Sequence, residues 1–194
     1  MTVPQTPTTH LLLIRHAQSL HNRNGTKTKG DSGLTELGWH QAQSIGDWLA
    51  RSQHVDAIVS SVAVRARQTA EVIGERLGLP VELHEGLEEA DFPYWEELPA
   101  RQDSPLAAWD GSWQPDPENA PLYASFRARL YLSLQRLLAS HAGQTVVVVT
   151  HGGPISTILR SLFGGHYMTI FTEFSSLTQL TWEADHWRLV VHNC

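Results

Sequence analysis

Residues 10–16 read His-Leu-Leu-Leu-Ile-Arg-His, and residues 145–151 read Thr-Val-Val-Val-Val-Thr-His. Each is a short apolar run that ends on a histidine. Runs of this length, apolar at every position, suit strands buried on both faces of a parallel sheet. They are far too short to span a bilayer. Open parallel sheets bind ligands beyond the carboxyl ends of their strands. If the two runs are neighbours, His16 and His151 face one another over that edge.

The sequence between and beyond them alternates in the same way. Thr35 can cap a helix whose apolar positions are Leu37, Ile45, Trp48 and Leu49. Ala57–Val59 reads as a second strand. Ala66, Ala70, Ile73 and Leu77 follow at helical spacing, and Gly78 with Pro80 ends that helix. Val81–Leu83 is a brief third strand. Tyr123, Phe126, Leu130, Leu134 and Leu137 mark a long amphipathic helix before Gly143. A helix is expected over Pro154–Phe163, opened by proline and closed at Gly164-Gly165. Ser176–Trp182 and Trp187–His192 read as a closing hairpin. Strands alternating with helices predict an α/β fold: a three-layer α/β/α sandwich, a mostly parallel sheet and an antiparallel C-terminal edge.

The chain has 194 residues and 41% apolar content, which fits one domain. Residues 1–9 read as a flexible polar tail without the regions of a signal peptide, and 10–194 as a single domain. A lone cysteine, Cys194, makes no internal disulfide, and the cytoplasm is the simpler compartment. Net charge is −6, which argues against a nucleic-acid partner. No membrane association is expected, and the oligomeric state is left open. Residues 85–120 carry ten acids and one base, Arg101. The expectation is an acidic insert at about 90–121 over the active site, with Phe92, Tyr94, Trp95, Trp109 and Trp113 as an aromatic lining. Arg23, Lys27 and Lys29 could favour a second anion.

The second strand leads through Ser60-Ser61 to the helix carrying Arg65. Two histidines and two arginines, Arg15 and Arg65, then converge on one edge. That set is a natural pocket for a doubly charged anion such as a phosphoryl group. The remaining histidines show no metal-ligand spacing, and no metal site is expected.

These residues resemble the histidine phosphatase superfamily, which includes the cofactor-dependent phosphoglycerate mutases. Arg15-His16-Ala17-Gln18-Ser19 with Asn22 resembles its opening motif. Leu34-Thr35-Glu36-Leu37-Gly38 with Gln41-Ala42 is similar to its first helix. Ser60-Ser61, Arg65-Ala66 and Gln68-Thr69-Ala70 resemble its second. Leu87-Glu88-Glu89 followed by Trp95-Glu96 resembles its acid-bearing loop, and Val149-Thr150-His151-Gly152-Gly153 its second catalytic histidine.

The resemblance implies that His16 is the nucleophile and passes through a phosphohistidine. It implies that Arg15, Asn22, Arg65 and His151 hold the phosphoryl oxygens, with Ser19 and Gly152 also at the substrate. It makes Glu89 the acid that protonates the leaving oxygen, with Glu88 the next candidate. His16 must be neutral at one nitrogen, so its other nitrogen needs an acceptor such as a backbone carbonyl. No cofactor and no metal are implied, because the arginines take the place of a cation.

The sequence departs from the family pattern at Ala17, where glycine is usual, and at Pro93 and Glu97, which replace two glycines of the acid loop. The extended basic segment of the mutases is missing. The reading is therefore a phosphatase of small phosphomonoesters that releases inorganic phosphate. The alternatives are a phosphoglycerate mutase and a non-catalytic phosphate or phosphoprotein binder.

Overall fold

The two histidine-tipped runs lie side by side. In the computed structural model β1 (Thr9–Arg15) and β4 (Thr145–Thr150) pair in parallel, with Arg15 opposite Thr150. The structure describes residues 7–23, 32–92, 121–165 and 168–194. Residues 93–120 of the expected insert at about 90–121, with its aromatic residues Tyr94, Trp95, Trp109 and Trp113, and Lys27 and Lys29 lie outside the described residues.

The other described elements are α1 (Leu20–Arg23), α2 (Glu36–Ser52), β2 (Ala57–Ser60), α3 (Val64–Leu77) and β3 (Val81–Leu83). Beyond residue 120 come α4 (Pro121–Ser140), α5 (Gly152–Phe163), β5 (Leu177–Glu183) and β6 (His186–Val191). The sheet has six strands in the order β3-β2-β4-β1-β5-β6. β1 to β4 run parallel, and β5 and β6 add the antiparallel edge. β1 starts at Thr9, one residue before the expected domain boundary, and the Thr9 hydroxyl accepts from the Gly143 N–H at 2.9 Å.

Alternate residues of the central strands feed two separate cores. Leu11, Leu13, Val146 and Val148 pack with α4 and α5 through Tyr123, Phe126, Leu130, Ile155 and Leu159. Leu12, Ile14, Val147 and Val149 pack with Leu49, Ala66, Ala70 and Ile73 of α2 and α3. Both faces are thus apolar because both are covered. Each of these larger side chains contributes about 1.5–3 kcal/mol by leaving water.

The face of α2 differs from the expectation. Leu37 and Trp48 are 53% and 37% exposed, and the buried positions are Gly38, Ala42, Gly46 and Leu49. Small residues face inward because α2 lies close to its neighbours. A Cβ at Gly38 would meet the Gln18 carbonyl oxygen at 2.0 Å, and one at Gly46 would sit 3.0 Å from Arg76 Cγ. Thr35 caps this helix as expected, its hydroxyl accepting the Gly38 N–H at 3.0 Å. α5 begins at Gly152 rather than Pro154, so the proline stands inside its first turn. The closing hairpin turns on Ala184 and Asp185 with φ of 48° and 62°, the twist that suits a two-residue connection.

Candidate active site

β1, β2 and β4 are parallel, so their carboxyl ends share one edge of the sheet. Chain leaving each strand there carries a polar group: His16 after β1, Ser61 after β2, His151 after β4. α3 and α5 start from the same edge, which places Arg65 in the first turn of one and Gly152-Gly153 in the first turn of the other. The imidazole centroids of His16 and His151 are 5.0 Å apart, with the planes at 65°.

His16 is buried, and its tautomer is set by two contacts. Nδ1–H donates to the Ala17 carbonyl at 2.8 Å, which leaves Nε2 with a lone pair. Arg65 Nε–H donates to that Nε2 at 3.1 Å. Burial first, and then the Arg65 charge, push the His16 pKa down to about 3. The ring is therefore neutral across the physiological range.

His151 is fully buried and is the N-cap residue of α5. Its Nε2 pairs with the Ser61 hydroxyl at 3.0 Å, while Nδ1 has no hydrogen-bond partner among the described residues. Burial, followed by repulsion from His16, holds its pKa well below the ordinary value. When Nε2 accepts the Ser61 hydroxyl, Nδ1 carries the proton, and a buried N–H without an acceptor costs about 1–3 kcal/mol, so that tautomer suits Nδ1 to a ligand oxygen.

Arg15 bends from the end of β1 across the start of α5. Its Nη1 donates to the Thr172 carbonyl, and its guanidinium lies 3.9 Å from the centre of the Phe174 ring. A Cβ built at Gly152 would lie 3.6 Å from Arg15 Nε, so the guanidinium runs past the start of α5.

The two acids of the loop after β3 separate sharply. Glu89 Oε2 accepts the Gly153 N–H at 3.1 Å, and Oε1 accepts the Ala90 N–H at 3.1 Å. Burial raises its pKa and outweighs those hydrogen bonds and the charges of Arg65 and Arg15. Glu88 instead pairs with Arg129 on α4 at 2.9 Å and accepts the Gly86 N–H at 2.6 Å. Arg129 also grips the loop through the Glu88 carbonyl at 3.0 Å. The Thr150 hydroxyl donates to the Leu87 carbonyl at 2.6 Å and ties the loop to the end of β4. Glu89 thus reaches the start of α5, two residues from His151, and Glu88 does not.

The sequence profile of the histidine phosphatase superfamily (branch 1) matches residues 11–194. The chain belongs to that superfamily. A bifunctional protein of Mycobacterium tuberculosis is 34% identical over 158 residues, which cover 78% of this chain and 43% of the relative. The chain thus spans less than half the length of that relative. A glucosyl-3-phosphoglycerate phosphatase of the same organism is 31% identical over 212 residues, covering 94% of this chain and 93% of its own length. Among solved structures, mycobacterial glucosyl-3-phosphoglycerate phosphatase complexed with VO3 superposes with a TM-score of 0.71. It is 29% identical and covers 95% of this chain and 99% of its own.

In this member of the superfamily the opening motif is held by the two helix motifs. Gln18 N–H donates to Gln41 Oε1 at 2.9 Å, and Thr35 Oγ1–H to Gln18 Oε1 at 2.9 Å. Ala17 N–H donates to Thr69 Oγ1 at 3.1 Å, and Leu34 N–H to Gln68 Oε1 at 2.9 Å. Ala17 is buried without a positive φ, so its methyl fits where the family carries glycine. Ser19 is fully buried, and its hydroxyl donates to Asn22 Oδ1 at 2.6 Å. That bond engages the Asn22 oxygen and leaves its amino group as the donor end.

Two residues were not singled out by sequence as part of the pocket's function. Ser61 was visible in a motif, but its bond to His151 needs β2 beside β4. Phe174 carried no signal, because nothing in the local sequence links residue 174 to residue 15.

Proposed function

We propose that this chain is a metal-independent phosphatase that hydrolyses small phosphomonoesters through a phosphohistidine on His16. By family it is a phosphomonoesterase, a hydrolase of small phosphorylated substrates. The observation that carries the mechanism is the His16 ring: neutral, oriented by the Ala17 carbonyl, with Nε2 against the Arg65 guanidinium.

In the first step His16 Nε2 attacks phosphorus while the ester oxygen leaves. Glu89, whose pKa burial raises, gives that oxygen its proton. The ring carries the phosphoryl on Nε2 and keeps its Nδ1–H on the Ala17 carbonyl. In the second step Glu89 takes a proton from water as the water attacks the phosphohistidine. Inorganic phosphate leaves and His16 is restored. Arg15, Arg65, the His151 N–H, the Asn22 amino group and the start of α5 at Gly152 meet the charge that spreads over three phosphoryl oxygens. Ser19 acts by orienting Asn22. Guanidiniums supply the cationic charge that a metal provides elsewhere. A cytoplasmic setting remains part of this proposal and rests on the cysteine usage.

Phosphate release from p-nitrophenyl phosphate, 3-phosphoglycerate and sugar phosphates in EDTA tests the reading, with His16→Ala as control. Release that resists chelation and disappears in the variant is expected. Wild-type release by His16→Ala would overturn the nucleophile. Isomerisation of phosphoglycerate primed with 2,3-bisphosphoglycerate, without hydrolysis, would point to a mutase instead.

A further inference from the structure

Phe174 sits in the connection from α5 to β5, where no motif falls, yet it touches both ends of the opening Arg15-His16 pair. Its ring is 3.9 Å below the Arg15 guanidinium and 5.8 Å from the His16 ring, tilted at 46°. The Thr172 carbonyl takes Nη1–H. An aromatic face and a carbonyl thus help to position Arg15, and neither cancels its charge as a carboxylate would. The face of an aromatic ring attracts a guanidinium while excluding water from it.

The ring does not depend on local packing alone for its place. Ser175 N–H donates to the Arg15 carbonyl at 3.0 Å, and Arg15 N–H to the Ser176 carbonyl at 3.3 Å. Ser175 has φ of 57°, a conformation that a non-glycine residue keeps only when its surroundings hold it. Residues after β6 hold the chain on either side of it. Glu173 N–H donates to Asn193 Oδ1 at 2.6 Å. His192 takes the Thr178 hydroxyl at Nδ1, 2.9 Å away, and donates from Nε2 to the Phe171 carbonyl at 2.9 Å. Hydrogen bonds from residues 192 and 193 therefore flank Phe174 on both sides.

We propose that Phe174 is a positioning residue of the phosphoryl pocket: its ring face, anchored by His192 and Asn193, holds the Arg15 guanidinium toward the phosphoryl group beside His16. The proposal rests on the phosphatase reading of the pocket. It differs from a packing role because it concerns the ring face and not the volume. A methionine fills much of the same space but offers no π face, whereas a tyrosine keeps one.

Orthovanadate, an oxyanion that takes the shape of the transferring phosphoryl, is the probe. Its inhibition constant and the kcat and KM for p-nitrophenyl phosphate are measured for the parent, Phe174→Met and Phe174→Tyr, beside their melting temperatures. Phe174→Met is expected to weaken vanadate inhibition and to lower kcat/KM by about tenfold, between the scales of an exposed and a desolvated cation–π contact. Its melting temperature stays near that of the parent. Phe174→Tyr is expected within about twofold of the parent, on the low side of that same scale. Asn193→Ala releases the anchor without touching the pocket, and is expected to weaken vanadate inhibition in the same direction by a smaller factor. Parent-like vanadate inhibition in Phe174→Met overturns the proposal, as does a Phe174→Tyr that loses as much as Phe174→Met. If Phe174→Met does not fold, Asn193→Ala decides, and parent-like inhibition there overturns it. A parent that neither binds vanadate nor releases phosphate overturns the phosphoryl-pocket reading, and this inference falls with it. A parent that does both, beside an unchanged Phe174→Met, overturns this inference alone.

Discussion

Arg65 Nε–H points at His16 Nε2 across 3.1 Å. The lone pair proposed to attack phosphorus is thus held by the same guanidinium proposed to receive the phosphoryl oxygens. One cation both keeps the nucleophile unprotonated and marks the place where negative charge must arrive. An incoming phosphoryl oxygen competes for that N–H and frees the lone pair as it binds.

That double role makes Arg65 separable from burial by titration. Burial is the larger cause of the low His16 pKa, and Arg65 the next. Arg65→Ala should raise the His16 pKa above about 3 yet leave it below 6.5, because the ring stays buried. NMR titration of the imidazole reads this directly, and an unchanged value would show that the Arg65 charge is not felt. The same variant should lose roughly 10- to 100-fold in kcat/KM, the scale of a charge-assisted hydrogen bond. Arg65→Lys should recover only part, since an ammonium has no fork.

The two neighbouring acids should differ in kind. Glu89→Gln should lower kcat by about a hundredfold or more on alkyl phosphates, whose leaving oxygen needs a proton. The loss should be much smaller on p-nitrophenyl phosphate, whose leaving group departs as an anion. Glu88→Gln should leave that ratio alone and act on stability. Its pair with Arg129 is about one-third exposed on each side, so the cost should be about 1 kcal/mol or less. Rates on both esters with melting temperatures for both variants separate the roles. An equal loss on the two esters in Glu89→Gln would remove it as the proton donor.

The pH dependence follows from opposite shifts in the two groups. His16 must be neutral, so kcat/KM should fall with acid only as pH drops toward about 3. Glu89 must be protonated for the first step, so kcat/KM should fall as pH rises through its raised value. The profile should be a bell, with its basic limb lost in Glu89→Gln. Stability has the sign set by linkage. The His16 and His151 contributions are complete above the unfolded value of 6.5 and are lost as pH falls through their depressed values. Thermal unfolding between pH 7 and 4 should show that decline, and His16→Gln should lessen it.

Two small residues, one in the opening motif and one in the first helix that packs on it, should differ in their effect on activity. Ala17→Gly removes a buried methyl at a position with no positive φ, and should cost about 1 kcal/mol while sparing activity. Gly38→Ala would bring a Cβ within 2.0 Å of the Gln18 carbonyl. The displaced backbone leads directly to His16, so that variant should lose about 1–3 kcal/mol and also activity. Denaturant unfolding beside kcat/KM checks both. A stable and active Gly38→Ala would show that the loop before α2 has slack.

Much of this was legible in the chain. The all-apolar runs at 11–14 and 146–149 required a sheet covered on both faces, and the described helices cover it. The strand-end positions of His16 and His151, and the start of α3 near Arg65, are local features, because a strand or helix boundary is written in consecutive residues. Thr35 as a cap and Gly78 as a left-handed terminus are local for the same reason. The exposed Leu37 and Trp48 were misread because helical period alone does not say which stripe turns inward. Contact at Gly38 and Gly46 decided that, and it depends on Gln18 and Arg76.

What the sequence by itself determined was therefore the fold class, the order of the elements and the residues that reach the carboxyl edge of the sheet. Each of these follows from spacing along a few consecutive residues. Only the tertiary structure separated Glu89 from Glu88, since side chains one residue apart in a loop point wherever their partners stand, here Gly153 and Arg129. Only it joined Ser61 to His151 and Phe174 to Arg15, across 90 and 159 positions of chain. Such pairs are set by which strands lie side by side and by where a connecting loop is tied, and no local pattern carries that information.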